Sequence, residues 1–264
     1  MNEVISKDGT SISFDRVGQG PAVILVDGAF CYQGFGPSEP LARRLKQDFT
    51  VFAYDRRGRG NSGNTLPYSV DREIEDIDAL IKEAGGSACV CGISSGAVLS
   101  LEAAARCKGI KKLALYEPPF ITDSSHAPLP DNYLPQLNEL ITSNRRDNAV
   151  KLFMKTMGAP DLFVGMMRLM PSWRELREVA HTLPYDITIV KDYQRGKPLT
   201  VQQWNSLSIP MLLLTGSKSP AWMQHSMSAL ANAFPKARHQ TLEGQAHDVK
   251  PRVLAPVLIE FFKD

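Results

Sequence analysis

Five short apolar runs, separated by segments of helical periodicity, constrain what this chain can fold into more than any other feature. They are Ala22–Val26, Thr50–Tyr54, Ala88–Cys91, Leu113–Tyr116 and Met211–Leu214. Each is too short for a core helix and is apolar at consecutive positions, the pattern of a strand buried on both faces. Helical patterns lie between them at Pro40–Gln47, Val70–Glu83 and Ser95–Cys107, the second with Ile74, Ile77, Leu80 and Ile81 on one stripe. Strands alternating with helices imply right-handed crossovers and a mostly parallel, doubly wound sheet, an α/β fold. Ahead of them, alternating segments around Glu3–Ser6 and Ser11–Arg16 flank Asp8-Gly9 and predict an antiparallel hairpin.

The alternation breaks after Phe120. The following 80 residues hold several helical stretches divided by prolines. The pattern then resumes with Met211–Leu214 as a strand, Ser219–Ala233 as a helix, His239–Leu242 as a short strand and Val253–Phe262 as a closing helix. The expected organisation is therefore a core of residues 1–120 and 201–264 with a helical cap at 121–200. Leu152–Met170, where Met154, Met157, Met166, Met167 and Met170 cluster with Phe153, Leu162 and Phe163, suits a soft apolar lid over a cleft.

The composition excludes several classes of function. A net charge of +2 is too small to argue for nucleic acid or an anionic membrane surface. No segment has the apolar length of a membrane span, and the N-terminus lacks a signal-peptide pattern, so a cytoplasmic protein is expected. Cys89 and Cys91 share one face of a strand, and Cys31 and Cys107 lie far off in sequence. Free thiols are expected, and without C-x-x-C or Cys/His spacing, so is the absence of a metal or other cofactor. The expected partner is a small-molecule substrate, bound by a monomer or homodimer.

Gly92-Ile93-Ser94-Ser95-Gly96 spells G-x-S-x-G between a buried strand and the strong helix former Ala97–Ala105. A serine on so sharp a turn has its hydroxyl pushed clear of the backbone, and the glycines let strand and helix approach closely. That is the geometry of a catalytic nucleophile.

Four landmarks in order make the chain resemble the α/β-hydrolase superfamily over nearly its whole length. Asp27-Gly28-Ala29-Phe30 sits where the family usually has His-Gly-x-x. Tyr54–Ser62 matches its D-x-R-G-x-G-x-S turn, Gly92–Gly96 its nucleophile elbow, and Gly244-Gln245-Ala246-His247 its histidine loop. The resemblance implies an α/β-hydrolase fold, with Ser94 as nucleophile and His247, which follows it in chain order, as base. His126, His181, His225 and His239 are scattered among loops and surface or cap helices.

The acid departs from the family pattern. The usual aspartate position, in Leu214–Pro220, holds Ser219, which cannot supply the charge that stabilises an imidazolium. Some α/β-hydrolases take the acid from the end of an earlier strand, which here offers Glu117 in Tyr116-Glu117-Pro118-Pro119. Asp123 and a Ser-His dyad are the alternatives, and Asp248 is too close to His247 in the chain to aim at it. The resemblance also implies an oxyanion hole from the backbone N–H groups of Ala29 and Ser95. Asp27 would bond loop amides or pair with an arginine such as Arg56; facing the hole, it would oppose the developing charge. The Asp55–Ser62 turn is expected to tie neighbouring loops together, and Trp173, Trp204 and Trp222 to pack.

The expected function is a serine hydrolase that cleaves a small ester, thioester or lactone with an apolar acyl or ring portion. The alternatives are carbon–carbon hydrolysis or a lyase reaction on the same fold, and a catalytically weak ligand-binding member. Ser219 and Asp27 keep the last alternative open.

Overall fold

The apolar runs form the centre of a single eight-stranded sheet in a computed structural model that describes all 264 residues. Its strands are β1 (Asn2–Ile5), β2 (Ser11–Val17), β3 (Ala22–Val26), β4 (Thr50–Tyr54), β5 (Ala88–Ile93), β6 (Ile110–Tyr116), β7 (Met211–Gly216) and β8 (Arg238–Leu242). Their spatial order is β1-β2-β4-β3-β5-β6-β7-β8. The pairs β1–β2 and β2–β4 are antiparallel and all others parallel. The β8 edge is polar: Arg238 to Thr241 are exposed, which discourages pairing with another chain.

The helices are α1 (Ser38–Leu45), α2 (Val70–Glu83), α3 (Ser95–Ala104), α4 (Tyr133–Thr142), α5 (Arg146–Thr156), α6 (Asp161–Met167), α7 (Ser172–Glu178), α8 (Leu183–Val190), α9 (Ala221–Ala233) and α10 (Pro251–Lys263). Strand period two divides the core between the faces of the sheet. Ile24, Val26 and Val90 pack with α2, α3 and α8 on one side. Val23, Leu25, Cys89 and Cys91 pack with α1 and α10 on the other. All four cysteines are free.

Local signals explain most helix boundaries. Ser69 caps α2 by accepting from the Arg72 N–H, Asp71 and Glu73 occupy its positive first turn, and Lys82 sits in its last. Its stripe of Ile74, Ile77, Leu80 and Ile81 is buried, each side chain contributing about 1.5–3 kcal/mol. Helix α3 lies between sheet and inserted helices and is buried nearly all round. Helix α9 starts at Ala221 rather than Ser219, because Pro220 holds extended backbone (ψ 146°) and the preceding residues make a turn.

Between β6 and β7 the chain is helical, with α4 to α8 and single 3-10 turns at Ala180–Thr182, Lys191–Tyr193 and Gln202–Trp204. Here the methionines part company. Met154 and Met157 line a cavity, whereas Met166 and Met170 are exposed beside Leu162, Phe163 and Leu169. Trp173 and Trp204 are buried with their indole N–H groups donating to Asp147 and Glu102. Trp222 is buried and stacks on His126.

The Asp55–Ser62 turn ties elements together as its charges suggest. Asp55 accepts the N–H groups of Gln33 and Asn61, and Arg57 joins Asp76 of α2 to Asp8 of the hairpin turn. A side chain at Gly60 (φ +51°) would put its Cβ 2.2 Å from the Asp55 carboxylate.

Candidate active site

The strand–turn–helix from β5 to α3 presents Ser94 in a backbone conformation (φ +57°, ψ −126°) that L-residues rarely adopt. The flanking glycines are required by contact. A Cβ at Gly92 would lie 2.4 Å from Ser100 Oγ, and one at Gly96 would lie 2.2 Å from the Val26 carbonyl oxygen. The Ser94 N–H donates to the Tyr116 carbonyl at 2.9 Å, tying the elbow to β6. Pairing of Val26 with Gly92 runs the chain leaving β3 beside the elbow, and a Cβ at Gly28 would meet Ser94 Cβ at 2.8 Å.

Ser94 opens into a cavity of about 640 Å³ at the carboxyl ends of the parallel strands, where open α/β sheets hold their ligands. Gly28 to Cys31 and His247 line it from the loops after β3 and β8, Met223 from α9, and Phe153, Met154 and Met157 from α5 and the residue after it. Its wall is mainly apolar and carries no lysine or arginine. Three of the four non-glycine residues with positive φ (Phe30, Ser94 and Glu117) belong to the segments around it, so backbone strain concentrates at this end of the sheet.

His247 and Glu117 meet here. Glu117 Oε2 lies 2.8 Å from His247 Nδ1, and Glu117 is fully buried. Its other oxygen accepts the Thr215 hydroxyl at 2.8 Å and the Gly216 N–H at 2.7 Å. Burial by itself would raise the carboxyl pKa. The hydrogen bonds from His247 and Gly216, with the Ser219 hydroxyl beside them, outweigh burial and hold it below the usual glutamate value. Because the carboxylate accepts, Nδ1 carries the proton and the free Nε2 is left as acceptor. Ser94 Oγ and His247 face the same cavity without a direct hydrogen bond in this structure.

The other candidates lie elsewhere. Asp123 is half-buried and bonds Ser125 and His225. Asp248 lines the cavity but makes no bond to His247. His181 bonds the Glu178 carbonyl, His126 stacks on Trp222, and His239 is exposed on β8. No three His, Cys, Asp or Glu side chains come together as metal ligands.

The loop after β3 carries Ala29, whose N–H makes no backbone hydrogen bond. Ser95 is the first residue of α3, where helix N–H groups lack intrahelical partners. The Asp27 carboxylate neither pairs with Arg56 nor lines the cavity. It is buried beneath the loop, and its Oδ1 has no partner. Burial raises its pKa to about 6, opposed by the neighbouring Ser38, Arg59 and Arg56. Arg56 is bonded instead to Glu73 and Asp186.

One group escaped sequence reasoning. Asp186 of α8 is buried behind the elbow, 2.7 Å from both the Ser95 hydroxyl and Arg56, and 2.6 Å from Arg59. The basic turn hinted at a buried acidic partner. Nothing in the sequence pointed to one more than 120 residues away.

Residues 23–256 match the model of the alpha/beta hydrolase family. An alpha/beta hydrolase from Sphaerobacter thermophilus is 47% identical with a TM-score of 0.92, over 99% of this chain and 100% of that one. Two further structures share the fold. They are the enol-lactonase from Burkholderia xenovorans (18% identity, TM-score 0.73, all of both chains) and an esterase from Exiguobacterium antarcticum (17%, 0.71, 100% and 99%).

Proposed function

We propose that this chain, which belongs to the alpha/beta hydrolase family, is a serine hydrolase of carboxylic esters, thioesters or lactones. The observation that carries this reading is the 2.8 Å contact between Glu117 Oε2 and His247 Nδ1. A buried, doubly hydrogen-bonded carboxylate fixes the imidazole tautomer and stabilises the imidazolium, the task of a triad acid. Ser94 Oγ attacks the substrate carbonyl as His247 Nε2 takes its proton. The oxyanion is received by the N–H groups of Ala29 and Ser95, at about 3 kcal/mol of transition-state stabilisation per donor. His247 then protonates the leaving oxygen or sulfur, and a water activated by the same nitrogen releases the acyl group from Ser94.

The wall of the cavity suggests the substrate. Phe30, Phe153, Met154, Met157 and Met223 favour an apolar acyl or ring portion. A carboxylate on that portion would find no cationic side chain to offset its desolvation. The esterase and enol-lactonase named above support ester or lactone chemistry on this fold, and residues 121–200 act in this reading as a lid over the cavity.

The test is labelling with a fluorophosphonate probe, together with p-nitrophenol release from butyrate and octanoate esters. Wild type should label and turn over. Ser94→Ala should do neither while unfolding at a normal temperature. Folded wild type that neither labels nor turns over would refute the proposal in favour of a binding protein. Labelling without ester turnover would point to carbon–carbon or lyase chemistry.

A further inference from the structure

Two buried arginines of the Asp55–Ser62 turn hold the loop that carries Ala29. Arg59 Nη1 donates to the Gly28 carbonyl at 2.6 Å, and Arg56 Nη1 reaches the Asp27 carbonyl at 3.3 Å. A trans peptide is planar, with its C=O and N–H pointing in opposite directions. Fixing the Gly28 carbonyl on Arg59 therefore fixes the direction of the Ala29 N–H. A guanidinium on that carbonyl also polarises the peptide, which strengthens the N–H as a donor.

Both arginines are oriented by one carboxylate. Asp186 Oδ2 accepts from Arg59 at 2.6 Å, and Oδ1 accepts from Arg56 at 2.7 Å. The same Oδ1 accepts from the Ser95 hydroxyl at 2.7 Å, which anchors the first residue of α3. Arg56, Arg59, Glu73 and Asp186 are each about 1% exposed, and their charges sum to zero. Burial opposes ionisation of Asp186, but Arg59 and Arg56, with the Ser95 hydroxyl, hold its pKa below the usual aspartate value. Thr182, in the 3-10 turn before α8, gives Arg59 a further bond at 3.0 Å.

We propose that Asp186 is a positioning residue for the oxyanion hole, aligning both N–H donors through Arg59 and the Ser95 hydroxyl. The inference rests on the serine-hydrolase reading of this site. Asp186 and Thr182 belong to the segment inserted between β6 and β7, so the hole is complete only when α8 is docked. The α8 end of the insertion is thus a fixed part of the machinery, whereas α5 contributes side chains to the cavity wall.

The test compares Asp186→Asn with wild type in p-nitrophenyl butyrate hydrolysis and in binding of an alkyl boronic acid, which forms a tetrahedral oxyanion mimic on serine. Asparagine retains an oxygen for Ser95 but turns an N–H toward a guanidinium. The expected result is a kcat lower by roughly ten- to a hundredfold, KM within about threefold of wild type, and boronate affinity weakened in parallel with kcat. A purely structural role would lower the folded fraction and leave the boronate affinity of the folded protein unchanged, which would overturn the proposal.

Removing one charge from a buried cluster risks unfolding. Ser95→Ala therefore serves as the second variant, since it keeps every charge and the Ser95 N–H itself. It should lower kcat and boronate affinity together by roughly threefold or more. Unchanged values in folded Ser95→Ala would also overturn the proposal. An unreactive wild type would refute the hydrolase reading and this inference with it, whereas a reactive wild type with indifferent variants would refute this inference alone.

Discussion

Asp27→Asn should stabilise the protein, increasingly so as the pH rises. The Asp27 carboxylate is buried, and its Oδ1 has no hydrogen-bond partner. Burial lifts its pKa from 3.8 to about 6. At 1.36 kcal/mol per pKa unit, a rise of about two units corresponds to about 3 kcal/mol. The folded state holds this proton more tightly than the unfolded chain. The stability it contributes is therefore fully present below pH 3.8 and is lost as pH rises through about 6. Asparagine has a similar shape and does not titrate. The unfolding free energy of Asp27→Asn minus that of wild type should thus grow by about 2 kcal/mol between pH 4 and pH 7.5, the rest of the change lying below pH 4. Urea denaturation followed by circular dichroism at half-unit pH steps measures it. The offset between the two proteins includes changes in hydrogen bonding, so the slope with pH is the informative quantity. A difference that stays flat across this range would refute the reasoning, because it would mean that the carboxyl is hydrated or paired.

Two further substitutions probe the site. Glu117→Gln keeps an acceptor for Thr215 and Gly216 but turns an amide N–H toward His247 Nδ1, forcing the other tautomer. It should lower kcat by roughly 10²- to 10⁴-fold with KM little changed. A near-normal kcat would remove Glu117 from the mechanism. Gly28→Ala places a Cβ 2.8 Å from that of Ser94, so loop and elbow must separate. A kcat loss of roughly tenfold or more in a folded variant is expected from steady-state kinetics, given how steeply catalysis depends on geometry. An unchanged kcat would show that the loop has slack.

Much of this was legible in the chain because it is local. Consecutive apolar positions such as Ala22–Val26 can be satisfied only by a strand covered on both faces, and Gly92 of the elbow is required by contacts within a few residues. Ser219 signalled, again locally, that the family's usual acid position is empty. The chain does not show which distant group faces a given atom. Glu117 and His247 are 130 residues apart, and their contact depends on a turn at φ +47° and on the register of β6, β7 and β8. Of the alternatives open to Asp27, a pairing with Arg56 does not form, because that guanidinium is bonded to Glu73 and Asp186.

Short-range sterics and hydrophobic periodicity thus pointed to the fold class, a mostly parallel sheet and a serine set on a sharp strand–helix turn from sequence alone. Electrostatic pairing is a property of distances through space, which the sequence does not contain. The environment of Asp27, the partner of His247 and the buried link from Asp186 to the loop beside Ser94 were therefore decided only when the sheet and the inserted helices closed around them.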